Sequence, residues 1–153
     1  MAKDKKAAAE DVQVAAFKLL KEEYGVNILN VQEIKTLSDI TRVPFAPDYI
    51  KGVINLRGSV MPVIDLKRRI GLAEAPYTGD TRIVIMKIGD LSIGMIVDAV
   101  TEVLTVEGAK IDQPKAAGDN ASNRFISGIG NVDGRLIIML NLDEIIDLPE
   151  EVH

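Results

Sequence analysis

The chain has 153 residues, of which 47% are hydrophobic, 27% charged and 4% aromatic, and its net charge is −5. These values are typical of a globular protein with one compact domain or two small units sharing a core, and the negative charge argues against nucleic-acid binding. The absence of cysteine excludes disulfides and thiolate metal sites and fits a cytoplasmic protein. No window approaches about 18 uncharged apolar residues, so no membrane insertion is predicted.

The predicted elements are short. Residues 1–11 are charged and alanine-rich and predict a flexible tail. From Val12 onward, β-branched runs alternate with turn signals, which predicts an all-β protein of about ten strands. Two brief helices are expected, LKRRI and LDEII, with Asp65 and Asn141 as their N-caps. The strands are expected in VQVAAFKL, YGVNI, EIKTL, GVINLRG, VMPVIDL, TRIVIMKI, LSIGMIV, AVTEVLTV, FISGIGNV and RLIIMLNL.

The two halves of the chain resemble each other. Residues 50–70 align with 126–146 at an offset of 76, and Phe17 and Gly25 align with Met86 and Gly94 at an offset of 69. Seven extra residues in the polar stretch 113–123 would account for the difference between the two offsets. The repeat predicts one β-barrel of about five strands from residues 12–75 and a second from residues 80–148, packed on a shared apolar core. A single crossing is expected near residues 72–80.

The repeat also predicts a hairpin turn at Arg57. Its partner position is Asp133, and Asp133-Gly134 is a strong signal for a two-residue turn with positive φ at both positions. Arg57-Gly58 is therefore expected to form the same turn, with glycine removing the steric cost at the second position. An arginine on this rigid tip is a candidate contact residue, and a solvated turn arginine is the alternative.

The sequence offers little for catalysis. The one histidine, His153, is the last residue, and without cysteine the usual nucleophile–base pairs and zinc sites cannot be assembled. The glycines of GIGNVDG (128–134) lie between strands, whereas phosphate-binding loops need a helix directly afterwards. No catalytic residue, metal or cofactor is predicted. A hydrolase that uses paired carboxylates remains open.

Several motifs resemble the CheW family of chemotaxis coupling proteins. They are EEYGVNILNVQEI (22–34), TRVP (41–44), YIKGVINLRG (49–58), VMPVIDL (60–66), IGMIVDAVTEVL (93–104) and FISGIGNVDGRLIIMLNLDEII (125–146). The resemblance covers roughly residues 12–148. It implies two SH3-like five-stranded β-barrels around a common hydrophobic core. It also implies a non-enzymatic adaptor that couples the cytoplasmic tip of transmembrane chemoreceptors to the regulatory domain of the histidine kinase CheA, located in the cytoplasm and recruited to receptor arrays at the inner face of the membrane.

The resemblance also assigns binding residues. Carried over motif by motif, the positions that bear on receptor and kinase coupling are Val31, Glu33, Gly52, Arg57 and Val103. Glu33 and Arg57 are expected to lie close enough to pair, and the receptor is expected in the groove between the barrels. Each residue also has an alternative role without binding. The valines could be core residues, Gly52 could relieve a bulge, and Glu33 and Arg57 could form a plain surface ion pair.

Two other classes of protein were weighed. One is a module of a larger relative, the CheW-like half of a CheV-type protein or the regulatory end of CheA, and the chain length argues against it. The other is a β-barrel that binds a small ligand or an oligosaccharide. Such a site needs aromatic stacking platforms, and three Tyr and three Phe are too few and too scattered.

Overall fold

The structure is a computed structural model and describes residues 10–112 and 124–147. The described part is mostly β-sheet, which confirms the predicted all-β class. Its strands are β1 (Val12–Leu19), β2 (Glu22–Asn27), β3 (Val31–Thr36), β4 (Ile50–Leu56), β5 (Ser59–Asp65), β6 (Arg82–Ile88), β7 (Leu91–Val97), β8 (Ala99–Val106), β9 (Ile111–Asp112), β10 (Ile126–Val132) and β11 (Arg135–Leu140). The helices are α1 (Leu66–Ile70) and α2 (Leu142–Ile145), with 3₁₀ helices η1 (Ile28–Asn30) and η2 (Gly108–Lys110).

The strands form two sheets that correspond to the two predicted SH3-like barrels. One sheet has the order β3-β6-β7-β5-β4 and uses only residues 31–97; we call it the central barrel. The other has the order β8-β1-β2-β11-β10-β9 and takes its strands from both ends of the chain; we call it the terminal barrel. Thr41, in the segment between β3 and β4, makes two backbone hydrogen bonds with Val53 of the edge strand β4.

The pairing of strands repeats between the barrels. Phe17 lies opposite Tyr24 in the terminal barrel, and Met86, its equivalent at an offset of 69, lies opposite Ile93 in the central one. Each barrel also contains one parallel pair, β2 with β11 and β5 with β7. The duplication inferred from the sequence is therefore present in the register of the sheets.

The predicted barrel boundaries at residues 75 and 80 are wrong, because the two copies exchange strands. The segment 72–80 joins β5 to β6, which both belong to the central barrel. The chain crosses between the barrels twice, at η1 and at Asp98. A sequence repeat identifies equivalent positions, but it does not determine whether equivalent strands pair within one copy or between copies. Residues 1–9 of the predicted tail and the stretch 113–123 lie outside the described residues.

A shared core connects the barrels, as predicted. Its largest cluster combines buried side chains from both, among them Phe17 and Tyr24 of the terminal barrel and Ile64, Met86 and Met95 of the central one. Each barrel also has a small core of its own. These are built around Val63 and Ile83 in the central barrel and around Val14 and Met139 in the terminal barrel.

The two predicted helices form where expected, but their first turns differ. The Asp65 carboxylate accepts hydrogen bonds from the backbone N–H groups of Lys67 and Arg68, so it caps α1 as predicted. Asn141 occupies the N-cap position of α2 but makes no capping hydrogen bond with its side chain. The repeat therefore preserves both helices and changes the polar contacts at their N-termini.

Candidate functional site

The tip of the β4–β5 hairpin has the turn that the repeat predicts. The φ angles are 51° at Arg57 and 89° at Gly58, against 52° and 88° at Asp133 and Gly134. In both hairpins an asparagine two residues before the tip accepts a hydrogen bond of 2.9 Å from the glycine N–H. A left-handed conformation costs a side-chain-bearing residue on the order of 1 kcal/mol, so the surrounding hairpin has to hold Arg57 in place.

Arg57 and Glu33 form an ion pair, which confirms the predicted pairing. Arg57 Nη2 donates to Glu33 Oε1 at 2.5 Å, and the two side chains are 73% and 31% exposed. The pair joins β3, one edge of the central sheet, to the hairpin at the other edge. It therefore presents a charged group that is fixed in direction but still accessible to another protein.

Aliphatic residues lie close to this ion pair along the chain. Val31 is half-buried at the start of β3, and Ile34, next to Glu33, is exposed. Val60, just past the hairpin tip, is also exposed. Sequence reasoning did not single out Ile34 or Val60. The sequence held no signal for this exposure, although the structure repeats it: Ile34 aligns with the exposed Val103, and Val60 aligns with the exposed Leu136.

Val103 lies in the other barrel. It is in β8, an edge strand of the terminal barrel, where it pairs with Ala15 and is 53% exposed. The alternative that Val103 is a core residue is therefore wrong. Three of the predicted site residues thus lie on two equivalent edge strands, Val31 and Glu33 on β3 and Val103 on β8.

Gly52 is buried and has a clear structural role. Its φ is 149°, and a Cβ at this position would clash with the backbone carbonyl of Thr41. The register of β4 against β5 shifts between Ile50 and Gly52, so the glycine sits at a bulge. Only glycine fits this conformation and this close approach. Its predicted binding role stays a prediction, since Gly52 has no side chain to offer a partner.

The terminal barrel carries a related but larger charged group. Arg135, just past the second hairpin tip, donates to Glu102 at 2.5 Å and to Glu23 at 2.8 Å. Glu102 is the repeat equivalent of Glu33. The hydrogen bond from Arg135 lowers the pKa of Glu23, and the two carboxylates raise the pKa of Arg135. Both barrels thus tie an edge-strand glutamate to an arginine from a hairpin.

Across 10–112 and 124–147, no cluster of three or more His, Cys, Asp or Glu residues could hold a metal ion. In the same ranges, no helix has the length and hydrophobicity needed to cross a membrane.

Fold and site together define a class: a duplicated pair of SH3-like barrels that exchange strands and expose aliphatic and charged groups at their edge strands. The chain belongs to the CheW family, since the family model described as "CheW-like domain" matches residues 13–150. This confirms the resemblance found in the sequence motifs.

Individual relatives agree with this assignment. The "Chemotaxis protein CheW" of Helicobacter pylori is 37% identical over 138 residues, covering 90% of this chain and 82% of that protein. The protein of the same name from Klebsiella aerogenes is 32% identical over 147 residues, covering 95% and 89%. The crystal structure of the scaffolding protein TtCheW from Thermoanaerobacter tengcongensis matches with a TM-score of 0.84 and 35% identity, covering 93% of this chain and 97% of that chain.

Proposed function

We propose that this protein is a non-enzymatic chemotaxis adaptor that couples transmembrane chemoreceptors to the histidine kinase CheA. Membership of the CheW family supports this function, as do the names of its relatives, chemotaxis and scaffolding proteins. The adaptor acts in the cytoplasm and is recruited to receptor arrays at the inner face of the membrane. Its partners are the regulatory domain of CheA and the cytoplasmic tip of the receptors.

The observation that carries the proposal is the Glu33–Arg57 ion pair. Arg57 occupies an unfavourable backbone conformation at an exposed tip, and its one described partner is a glutamate on the far edge of the sheet. Exposed ion pairs contribute at most about 1 kcal/mol to folding, so stability alone is a weak reason to hold an arginine there. Fixed charge beside exposed aliphatic groups is instead a common feature of protein–protein interfaces.

The proposed binding residues act in different ways. Glu33 and Arg57 orient one surface of the central barrel, and Val31 contributes apolar contact beside them. Val103 contributes apolar contact from the terminal barrel, so a helical hairpin of the receptor contacts both edge strands. Gly52 acts indirectly, by shaping the β4 bulge that carries the hairpin.

The test is Arg57→Glu, measured for thermal unfolding and for CheA activation in a reconstituted receptor complex. We expect a melting temperature within a few degrees of the parent, because the lost ion pair is worth less than about 1 kcal/mol. Activation is expected to fall at least about tenfold, because two carboxylates then repel each other at the interface. A folded variant that activates CheA normally would contradict the assignment of Arg57 as a binding residue.

Two further variants sharpen this experiment. Lys110→Glu makes the same charge change at an exposed position of the terminal barrel, and it should leave activation unchanged. The charge swap Glu33→Arg with Arg57→Glu restores the ion pair in reverse. If the pair only stiffens the hairpin, the swap restores activation. If Arg57 contacts a carboxylate of the partner, the swap remains inactive.

A further inference from the structure

The guanidinium group of Arg69 links the two barrels. Arg69 lies in α1, which follows β5 of the central barrel, and its side chain is partly buried. Its Nε donates to the Ile145 carbonyl oxygen at 2.9 Å, and its Nη2 donates to the carbonyl oxygens of Glu144 at 3.0 Å and Asp147 at 2.9 Å. All three acceptors lie in or just after α2, which follows β11 of the terminal barrel. One side chain of the first copy therefore binds the end of the helix in the second.

Aromatic rings from both copies of the repeat contact the same guanidinium. Its Cζ atom lies 4.7 Å from the centre of the Tyr49 ring and 5.1 Å from the centre of the Phe125 ring, within the range of cation–π contacts. Tyr49 and Phe125 are equivalent at the offset of 76, and so are Arg69 and Ile145. Contact between equivalent residues requires both to lie near the axis that relates the copies. Arg69 therefore lies close to the approximate symmetry axis between the barrels.

The two helices end in different ways. Helix α1 is followed by Gly71, whose φ of 88° turns its N–H and that of Leu72 back onto carbonyl oxygens of the helix. Asp147 stands at the equivalent position after α2 and does not have a positive φ. The carbonyl oxygens of Glu144 and Asp147 instead accept hydrogen bonds from Arg69. The end of α2 is thus completed by a side chain from the other copy, where α1 uses its own glycine.

We infer that Arg69 fixes the orientation of the two barrels relative to each other and thereby the separation of the edge strands β3 and β8. The shared core holds the barrels together, but apolar attraction by itself has no preferred direction. Hydrogen bonds to three carbonyl oxygens require the planar guanidinium to keep one position and one angle. Because β3 belongs to the central barrel and β8 to the terminal one, their separation depends on this angle. The consequence for binding rests on the proposed function, in which a receptor hairpin contacts both strands.

The separation of the edge strands can be measured with spin labels, because the chain contains no cysteine. Thr36 on β3 and Thr105 on β8 are exposed and equivalent at the offset of 69, so Thr36→Cys with Thr105→Cys places one label on each barrel. In this background Arg69→Met removes the donors and keeps an apolar side chain. We expect the distance distribution from double electron–electron resonance to widen or to move by about 2 Å, the usual size of shifts between packed elements. An unchanged distribution in the folded variant would overturn the inference.

Arg82→Met is the matched control. Arg82 Nη1 also donates to backbone carbonyl oxygens, those of Gly79 at 2.8 Å and Thr81 at 2.9 Å, but these acceptors lie next to it in the chain, at the start of β6. Its removal should therefore leave the distance distribution unchanged. An equal change in both variants would show that the loss of any such arginine loosens the barrels, and the inference would fail.

The parent chain provides a second test that does not depend on whether a variant folds. The Arg69 Nε–H should exchange with water about tenfold more slowly than that of the exposed Arg42, because it is held by the Ile145 carbonyl oxygen. Nitrogen-15 NMR of the side chains measures both exchange rates. Equal rates would show that the end of α2 does not hold the guanidinium, which contradicts the inference.

A binding measurement separates this inference from the proposed function. Arg69→Met without labels should bind a receptor cytoplasmic fragment about fivefold more weakly than the parent chain in calorimetric titration, a modest coupling between distant positions. Unchanged binding by a variant whose strand separation has changed would overturn the link between Arg69 and the binding surface. If the parent chain does not bind the fragment, the proposed function fails, and the distance measurement still decides whether Arg69 orients the barrels.

Discussion

The two crossings between the barrels occupy equivalent positions in the repeat, yet they are built differently. At the second crossing, Asp98 accepts hydrogen bonds from Lys67 Nζ at 2.5 Å and from the Leu20 N–H at 2.7 Å. Its equivalent at the first crossing is Leu29, which is 88% exposed. There Asn27 caps the short helix η1 and Asn30 donates to the Lys87 carbonyl oxygen. One crossing is held by a buried cation, the other by neutral amides.

This difference shows what duplication preserves. The backbone path, strand register and bulges recur in both copies, because they are set by the alternation of apolar residues and by a few turn residues. Charged side chains do not recur in the same way, since each copy has acquired its own contacts. A substitution at a position that differs between the copies therefore tests a contact found in one copy only. A substitution at the equivalent position of the other copy is its control.

The largest effect is expected when the charged crossing is broken. Lys67 is only 1% exposed, and its one described ion-pair partner is Asp98. Asp98→Ala leaves this cation buried without a counter-charge and also frees the Leu20 N–H. We expect a loss of about 3 kcal/mol in the free energy of unfolding, measured by urea denaturation at pH 7.

Two variants sharpen this comparison. Lys67→Met removes the buried charge and leaves the partly exposed Asp98 to water, so its cost should stay within about 1 kcal/mol. Leu29→Ala at the equivalent crossing should change stability by no more than about 0.5 kcal/mol, because Leu29 is almost fully exposed. If Asp98→Ala costs no more than Leu29→Ala, the ion pair does not fix the crossing.

The next effect concerns the two bulge glycines, Gly52 and its equivalent Gly128. Gly52→Ala would place a Cβ against the Thr41 carbonyl at a φ of 149°, so we expect a loss of about 2–3 kcal/mol. At Gly128 a Cβ would lie 2.8 Å from Ile111 Cγ2 and 3.1 Å from the Asp112 carbonyl oxygen, a milder overlap than at Gly52, and no left-handed φ is involved. Gly128→Ala should therefore cost about 1 kcal/mol. Equal losses in thermal unfolding would show that the two bulges are equally constrained.

The smallest effect depends on pH and concerns the ion pair between Arg135 and Glu23 in the terminal barrel. Because Arg135 lowers the pKa of Glu23 below its ordinary value of 4.5, the pair contributes stability above pH 4.5, and this contribution is lost as the pH falls through the folded-state pKa. Glu23→Gln should cost about 0.5 kcal/mol at pH 7 after solvent screening, and the difference should vanish in acid. Urea denaturation at several pH values measures it. A cost that stays constant as the pH falls would assign it to packing or to the hydrogen bond with Thr101.

Local features of the molecule could be predicted from its sequence. The strands, the Asp65 cap and the hairpin turn at Arg57-Gly58 depend on neighbouring residues and on the repeat, and the structure confirms them. The Glu33–Arg57 pair was also predicted correctly, although only through the resemblance to a family. The binding roles of Val31, Glu33, Gly52, Arg57 and Val103 remain predictions.

Non-local features could not be predicted. The sequence repeat is compatible with strands pairing within a copy or between copies, because either arrangement buries the same alternating apolar residues. The exposure of Ile34, Val60 and Leu136 likewise depends on which strands lie at sheet edges. The role of Asp98 was not predicted either. In the sequence it is an aspartate before a strand, which is an ordinary turn residue, and only the fold places Lys67 beside it.

The exchange of strands also fixes the order in which the protein can fold as it is synthesised. The central barrel uses one continuous stretch, residues 31–97, so all its strands are present before β8 to β11 have been made. The β1–β2 hairpin is made before any strand of the central barrel, but β2 must wait for β11, its parallel partner, which is made after all of them. During that time the edge of β2 is open to wrong partners, so a strand made before the central barrel is protected from aggregation only after that barrel is complete.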